Sequence, residues 1–176
     1  MVATTGKIKQ LREETGVSIM ECKKALEQTK GNLEKAKEVL KKRGLEIAAK
    51  KSSRATSQGR IESYIHHNHK IGALVEINCE TDFVAKNEDF VKLCKDIAMH
   101  IVAARPLYFK KEDVSKNDIP EKEDPEDFYK RTCLLEQPFI KDDKMAIGEY
   151  LSSVIAKTGE NIVIKRFVCF VLGEDA

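Results

Sequence analysis

The C-terminal run IVIKRFVCFVLG, residues 162–173, constrains this chain more than any other stretch. It is rich in β-branched and aromatic side chains, which suit a pleated strand, and it is apolar at most positions of both faces. Such a strand calls for cover on both sides, and a second subunit is one way to supply it. Residues 61–66 are a strand candidate, 67–70 a turn, and IGALVEINC (71–79) another strand, which together read as an antiparallel hairpin. Thr81 and Asp82 are cap residues ahead of a long helical pattern from Phe83 to Ala104, where Phe90, Cys94, Ile97, Ala98 and Ile101 share one face. A further helix carries Ile147, Tyr150, Leu151, Val154 and Ile155 at helical spacing and stops at Gly159. Three strands with two helices predict an α+β core.

The first 44 residues follow a different period. Ile8 and Leu11 mark a first helix stopped by Gly16. Ser18 with Glu21 forms a capping-box pattern ahead of Ile19, Cys22, Ala25 and Leu26, and Gly31 ends that helix. Asn32 caps a third, with Leu33, Ala36, Val39 and Leu40 on one face until Gly44. The expected organisation is a three-helix docking domain at 1–44, a linker at 45–58, and an α+β core at 59–176. Pro106, Pro120, Pro125 and dense charge make 105–131 an exposed irregular excursion.

Charge divides the chain in the same place. Residues 1–60 hold 15 lysines and arginines against 7 acidic residues, a net of +8, whereas the remainder is net −6. The first segment is therefore suited to an acidic surface. No apolar run approaches the length of a membrane span and the N-terminus lacks a signal-peptide core, so a cytoplasmic protein without a membrane partner is expected. The five cysteines are spread without a CxxC pair, which favours small buried hydrophobes over a disulfide framework or zinc ribbon.

No GxSxG, HExxH or GxxxxGK[ST] motif occurs, and the carboxylates lie on charge-rich faces. No catalytic residue, cofactor or metal is assigned. His66, His67 and His69 share a turn, but strand geometry would send His66 and His67 to opposite faces, so they are read as solvent-facing. The run Lys41, Lys42, Arg43, Lys50, Lys51, Arg54 has the charge to follow a phosphate backbone, although it lacks aromatics for stacking. A basic RNA- or ribosome-binding protein is thus the alternative reading. In ETDFVAKNEDF, 80–90, Phe83 either packs beneath a helix capped by Thr81 or Asp82, or protrudes as a wedge with Asp82 beside it. His100 falls off the apolar stripe beside Leu93 and Asp96, as a solvated or a contact residue.

Five blocks in order resemble the elongation factor Ts family over nearly the whole chain: LREETGVSIMECKKAL, ETDFVAKN, IAMHIVAARPLY, LLEQPFIKD and GEYLSSVIAKTGENIVIKRF. The resemblance implies an N-terminal fold similar to a ubiquitin-associated domain. It also implies a non-enzymatic exchange factor that binds elongation factor Tu, in its GDP-bound and nucleotide-free forms, and promotes GDP release. By the same resemblance Asp82 and Phe83, with Thr81 and Val84 in the same block, intrude near the partner's magnesium and phosphate site, and His100 contacts the partner beside them. Lys9, Arg12, Ile19, Met20 and Lys23 match the surface that docks on the partner's nucleotide-binding domain. The chain looks like the short form, for which a homodimer and no direct nucleic-acid contact are expected.

Overall fold

The computed structural model describes residues 4–174. Helix α1 (Thr5–Thr15) ends at Gly16, whose left-handed φ of 67° lets its N–H reach Arg12 O at 2.7 Å. At the start of α2 (Ile19–Gln28), Ser18 Oγ accepts from Glu21 N at 3.3 Å. Only this half of the expected capping box is present, because the Glu21 carboxylate turns to Arg43 at 2.8 Å and Lys24 at 3.3 Å. Gly31 closes α2 by donating to Leu26 O, and Asn32 Oδ1 caps α3 (Leu33–Lys51). Leu11, Cys22, Ala25, Leu26, Ala36 and Leu40 form a small core of their own.

The third helix does not stop at Gly44. It runs on to Lys51, and Gly44 is buried within it against α7 (Ile147–Thr158). A glycine inside a helix costs about 1 kcal/mol. Packing of Ile47 and Ala48 against the larger core outweighs that cost. One rigid helix is therefore shared by both cores, and little of the expected linker survives before strand β1 (Gln58–Ile65).

Strand β2 (Ile71–Cys79) lies between β1 and β5 (Ile162–Val171), antiparallel to both. Gly59 sits against β2 at a φ of 152°, where a β-carbon would stand 2.2 Å from Ile77 O, so no other residue fits without moving backbone. Ala73, Val75, Ile77 and Cys79 alternate onto the face covered by α5 (Glu88–Ala104). The expected helix from 83 to 104 is in fact two. A single turn, α4 (Asp82–Ala85), precedes α5, and Asn87 restarts the helix by accepting from Asp89 N at 2.8 Å.

The excursion is less irregular than expected. It holds two 3-10 turns (Lys111–Asp113, Lys116–Asp118) and α6 (Pro125–Thr132), with Asp124 capping and Pro125 in the first turn. A small hairpin of β3 (Pro138–Phe139) and β4 (Asp142–Ala146), not anticipated from the sequence, follows. It is fastened by Asp96, which is 3% exposed and accepts from Lys141 Nζ at 2.6 Å and Tyr150 Oη at 2.8 Å.

The other face of the sheet has no cover within the described residues. Ile61, Ile65, Leu74, Val168 and Phe170 all stand on it, from 40% to 68% exposed. β5 is apolar on both faces, as its sequence predicts, but its own chain buries only one.

Candidate functional site: a presented acidic–aromatic corner

The β2–β5 ladder ends at the pair Cys79 and Ile162, and just beyond it the chain turns sharply into α4. Thr81 caps that turn, its Oγ1 accepting from Val84 N at 3.4 Å. Val84 and Ala85 pack against the core, which leaves Asp82 and Phe83 pointing outward. Phe83 is 81% exposed, more than any other large hydrophobic side chain among the described residues. Of the two readings of Phe83, packing beneath the helix is therefore ruled out. Asp82 accepts from Lys86 Nζ at 2.7 Å, and this ammonium holds its carboxyl below the usual carboxylate range. The corner thus presents a bare aromatic ring beside an ionised carboxylate paired with Lys86.

The corner is also braced. Glu80 accepts from Asn161 N at 2.6 Å, which together with Arg54 at 3.4 Å keeps its carboxyl below the ordinary value. Glu160 in turn accepts from Thr81 N at 3.0 Å and Thr81 Oγ1 at 2.6 Å. Neither Glu160 nor Asn161 stood out in the sequence. The available signal was a glutamate just outside each of two adjacent antiparallel strand ends.

His100 is elsewhere, and its expected setting needs correction. It is fully buried, as is Leu93, and Asp96 nearly so. Helix α5 is covered by the sheet on one side, while Gln137 and Phe139 close over His100. The ring therefore offers no surface for direct contact. Desolvation holds its pKa below the usual value, with the Gln137 hydrogen bond acting the other way.

The remaining candidates lie on the helical module. Lys9 and Arg12 are exposed on α1, and Ile19 and Met20 stand more than half exposed at the start of α2 with Lys23 one turn on. Lys9 lies 3.9 Å from Glu13 and Lys23 3.9 Å from Glu27, so these cations stand beside carboxylates on their own helices. Ile19 and Met20 are not needed by the module's own core.

The other sequence features carry less. Four of the six cations in the basic run are engaged within the chain: Lys41 with Glu149, Arg43 with Glu21, Arg54 with Glu80, and Lys51 with Gly159 O. His66 and His67 do not point apart, because β1 ends at Ile65 and their rings lie 4.2 Å apart in the turn. No group of three or more His, Cys, Asp or Glu side chains able to hold a metal occurs among the described residues. Cys22, Cys79, Cys94 and Cys133 are buried, and desolvation pushes the Cys94 thiol up to about 12. No helix among the described residues is long and apolar enough to cross a membrane.

A helical module is joined to an α+β core that presents a braced aromatic corner. The family described as Elongation factor TS matches residues 2–174. Three relatives named Elongation factor Ts are similar over almost their full length. The one from Heliobacterium modesticaldum is 45% identical over 98% of this chain and 91% of its own. The one from Solibacter usitatus is 46% identical over 97% and 92%, and the one from Anaeromyxobacter sp. (strain Fw109-5) 47% identical over 95% and 87%. The protein is a translation elongation factor, and the chain belongs to the elongation factor Ts family.

Proposed function

We propose that the chain binds elongation factor Tu and promotes release of its GDP by intruding Phe83 and Asp82 beside the partner's magnesium and phosphate site. The observation that carries this reading is the exposure of Phe83 on a corner that hydrogen bonds fix in place. No covalent chemistry is required. A factor that binds the nucleotide-free partner more tightly than the GDP form must, by linkage, weaken GDP binding by the same factor. Displacing the cation removes a large attraction for the phosphates, and an anionic Asp82 beside them adds repulsion.

Magnitudes require more than one surface. Burying one phenylalanine contributes about 1.5–3 kcal/mol, or one to two decades in affinity. The remainder comes from docking through Lys9, Arg12, Ile19, Met20 and Lys23, with Thr81 and Val84 supporting the tip. His100 serves this reading only from inside the fold.

The working unit in this reading is a homodimer joined through the open sheet face. Five exposed apolar side chains in register, Ile61, Ile65, Leu74, Val168 and Phe170, support a second copy as their cover. The protein acts in the cytoplasm, as neither an enzyme nor a nucleic-acid binder.

The test is stopped-flow fluorescence with elongation factor Tu preloaded with a fluorescent GDP analogue. Adding the chain should accelerate the loss of signal in a concentration-dependent, saturable way. An unchanged release rate would reject exchange. Steeply salt-dependent retention of RNA, without any effect on GDP, would favour the alternative.

A further inference from the structure

Beyond the last β2–β5 pair, Cys79 and Ile162, backbone pairing gives way to an exchange of carboxylates. Glu80, from the end of β2, accepts the N–H of Asn161 at 2.6 Å. Glu160, just ahead of β5, accepts from Thr81 twice: from its backbone N at 3.0 Å through Oε2, and from its hydroxyl at 2.6 Å through Oε1. The single hydroxyl proton of Thr81 is thereby committed to Glu160. A lone pair is left facing Val84 N at 3.4 Å, which is the bond that caps α4.

The segment bearing Glu160 is itself held from behind. Lys51 Nζ donates to Gly159 O at 2.6 Å, and Asn161 Nδ2 donates to Ser52 O at 3.4 Å and Arg54 O at 2.8 Å. In contrast, α4 is a single turn with no fully buried residue. Val84 and Ala85 rest on the core and Cys79 Sγ donates to Thr81 O at 3.1 Å, but among the described residues Glu160 is the side chain from a distant part of the sequence that hydrogen-bonds to the turn.

We propose that Glu160 is a positioning residue, whose two-pronged carboxylate fixes the Thr81 cap and so aims Phe83 and Asp82 at the partner. This rests on the reading of Phe83 as the intruding group. Glu160 touches no nucleotide. It acts through Thr81, and its contribution lies in presenting the tip already oriented, because a misplacement of about 1 Å at a reacting centre can cost ~100-fold in rate.

The experiment measures GDP release from elongation factor Tu across a range of chain concentrations, separating the saturating rate from the half-saturating concentration. Glu160→Ala should lower the saturating rate by about tenfold and leave the half-saturating concentration unchanged, since docking through α1 and α2 is intact. Thr81→Val, which loses the hydroxyl's bonds to both Glu160 and Val84 N but keeps the backbone N–H contact, should also lower the saturating rate, and Thr81→Ser, which keeps all three, should retain more of the rate than Thr81→Val. Adding Glu160→Ala to Phe83→Ala should lower the rate by less than it does in the wild type, because only the aim of Asp82 remains to be lost. If Phe83→Ala slows release but Glu160→Ala and Thr81→Val do not, the positioning role is overturned and the wedge stands. If Phe83→Ala has no effect, both fall. A loss in Glu160→Ala that appears only as a lower melting temperature or a higher half-saturating concentration marks a structural residue, and also overturns the proposal.

Discussion

Inside the core, His100 Nε2 lies 3.0 Å from Gln137 Oε1. Both amide hydrogens of Gln137 are spent on carbonyls, Ala104 O at 3.3 Å and Arg131 O at 2.8 Å, so its oxygen must face the ring. The imidazole therefore donates from Nε2, and Nδ1 is left buried without a partner. This one pair links α5 to the segment after α6.

A pH dependence follows. Burial lowers the folded-state pKa of His100 below its ordinary 6.5, so the unfolded chain takes up the proton first. The stability involved is fully present above about pH 6.5 and is lost as pH falls toward the depressed folded value. Thermal melting between pH 7.5 and 5 should therefore fall more steeply for the wild type than for His100→Gln, which cannot titrate. Parallel curves would contradict the assignment.

Gly44 offers the opposite kind of test. An added β-carbon would rest 3.7 Å from Ser152 O, in ordinary contact, and the position is helical. Gly44→Ala should raise stability by about 1 kcal/mol, or ~2–4 °C in melting temperature. A decrease would mean that α3 and α7 tolerate no closer fill.

The Asp96 cluster should be unforgiving. Lys141→Met leaves a buried carboxylate with Tyr150 as its remaining donor, and should cost about 2 kcal/mol by chemical denaturation, less than a wholly buried pair because Lys141 is half exposed. Loss of less than about 0.5 kcal/mol would show that solvent replaces the lysine.

The open sheet face predicts assembly. Light scattering should give a dimer mass for the wild type and a monomer mass for Leu74→Glu combined with Phe170→Glu, with melting of each protomer's secondary structure retained. A wild-type monomer at micromolar concentration would contradict the homodimer.

What the sequence disclosed followed from local periodicity. The alternation in Ile71–Cys79 and the i, i+3, i+4 spacing from Ile147 to Ile155 each depend on one burying surface, and both elements stand where that pattern predicts. A helical wheel leaves His100 outside the core because it assumes one buried side, whereas the 105–146 segment folds back over the second. Gly44 has the local look of a helix stop, but its burial depends on α7, more than 100 residues away. The Glu160–Thr81 contact spans 79 positions and involves no motif, so no local rule exposes it. Phe83 itself was visible as a candidate, but only the structure decided between burial and exposure.

The most direct measurement of the exchange mechanism is GDP release from elongation factor Tu at saturating Phe83→Ala chain. The side chain is almost wholly exposed, so the variant should keep its stability within about 0.5 kcal/mol and still bind the partner. The account predicts a release rate at least about tenfold below that with wild-type chain, in line with the loss of one buried aromatic contact. A rate equal to the wild type, with binding intact, would contradict it.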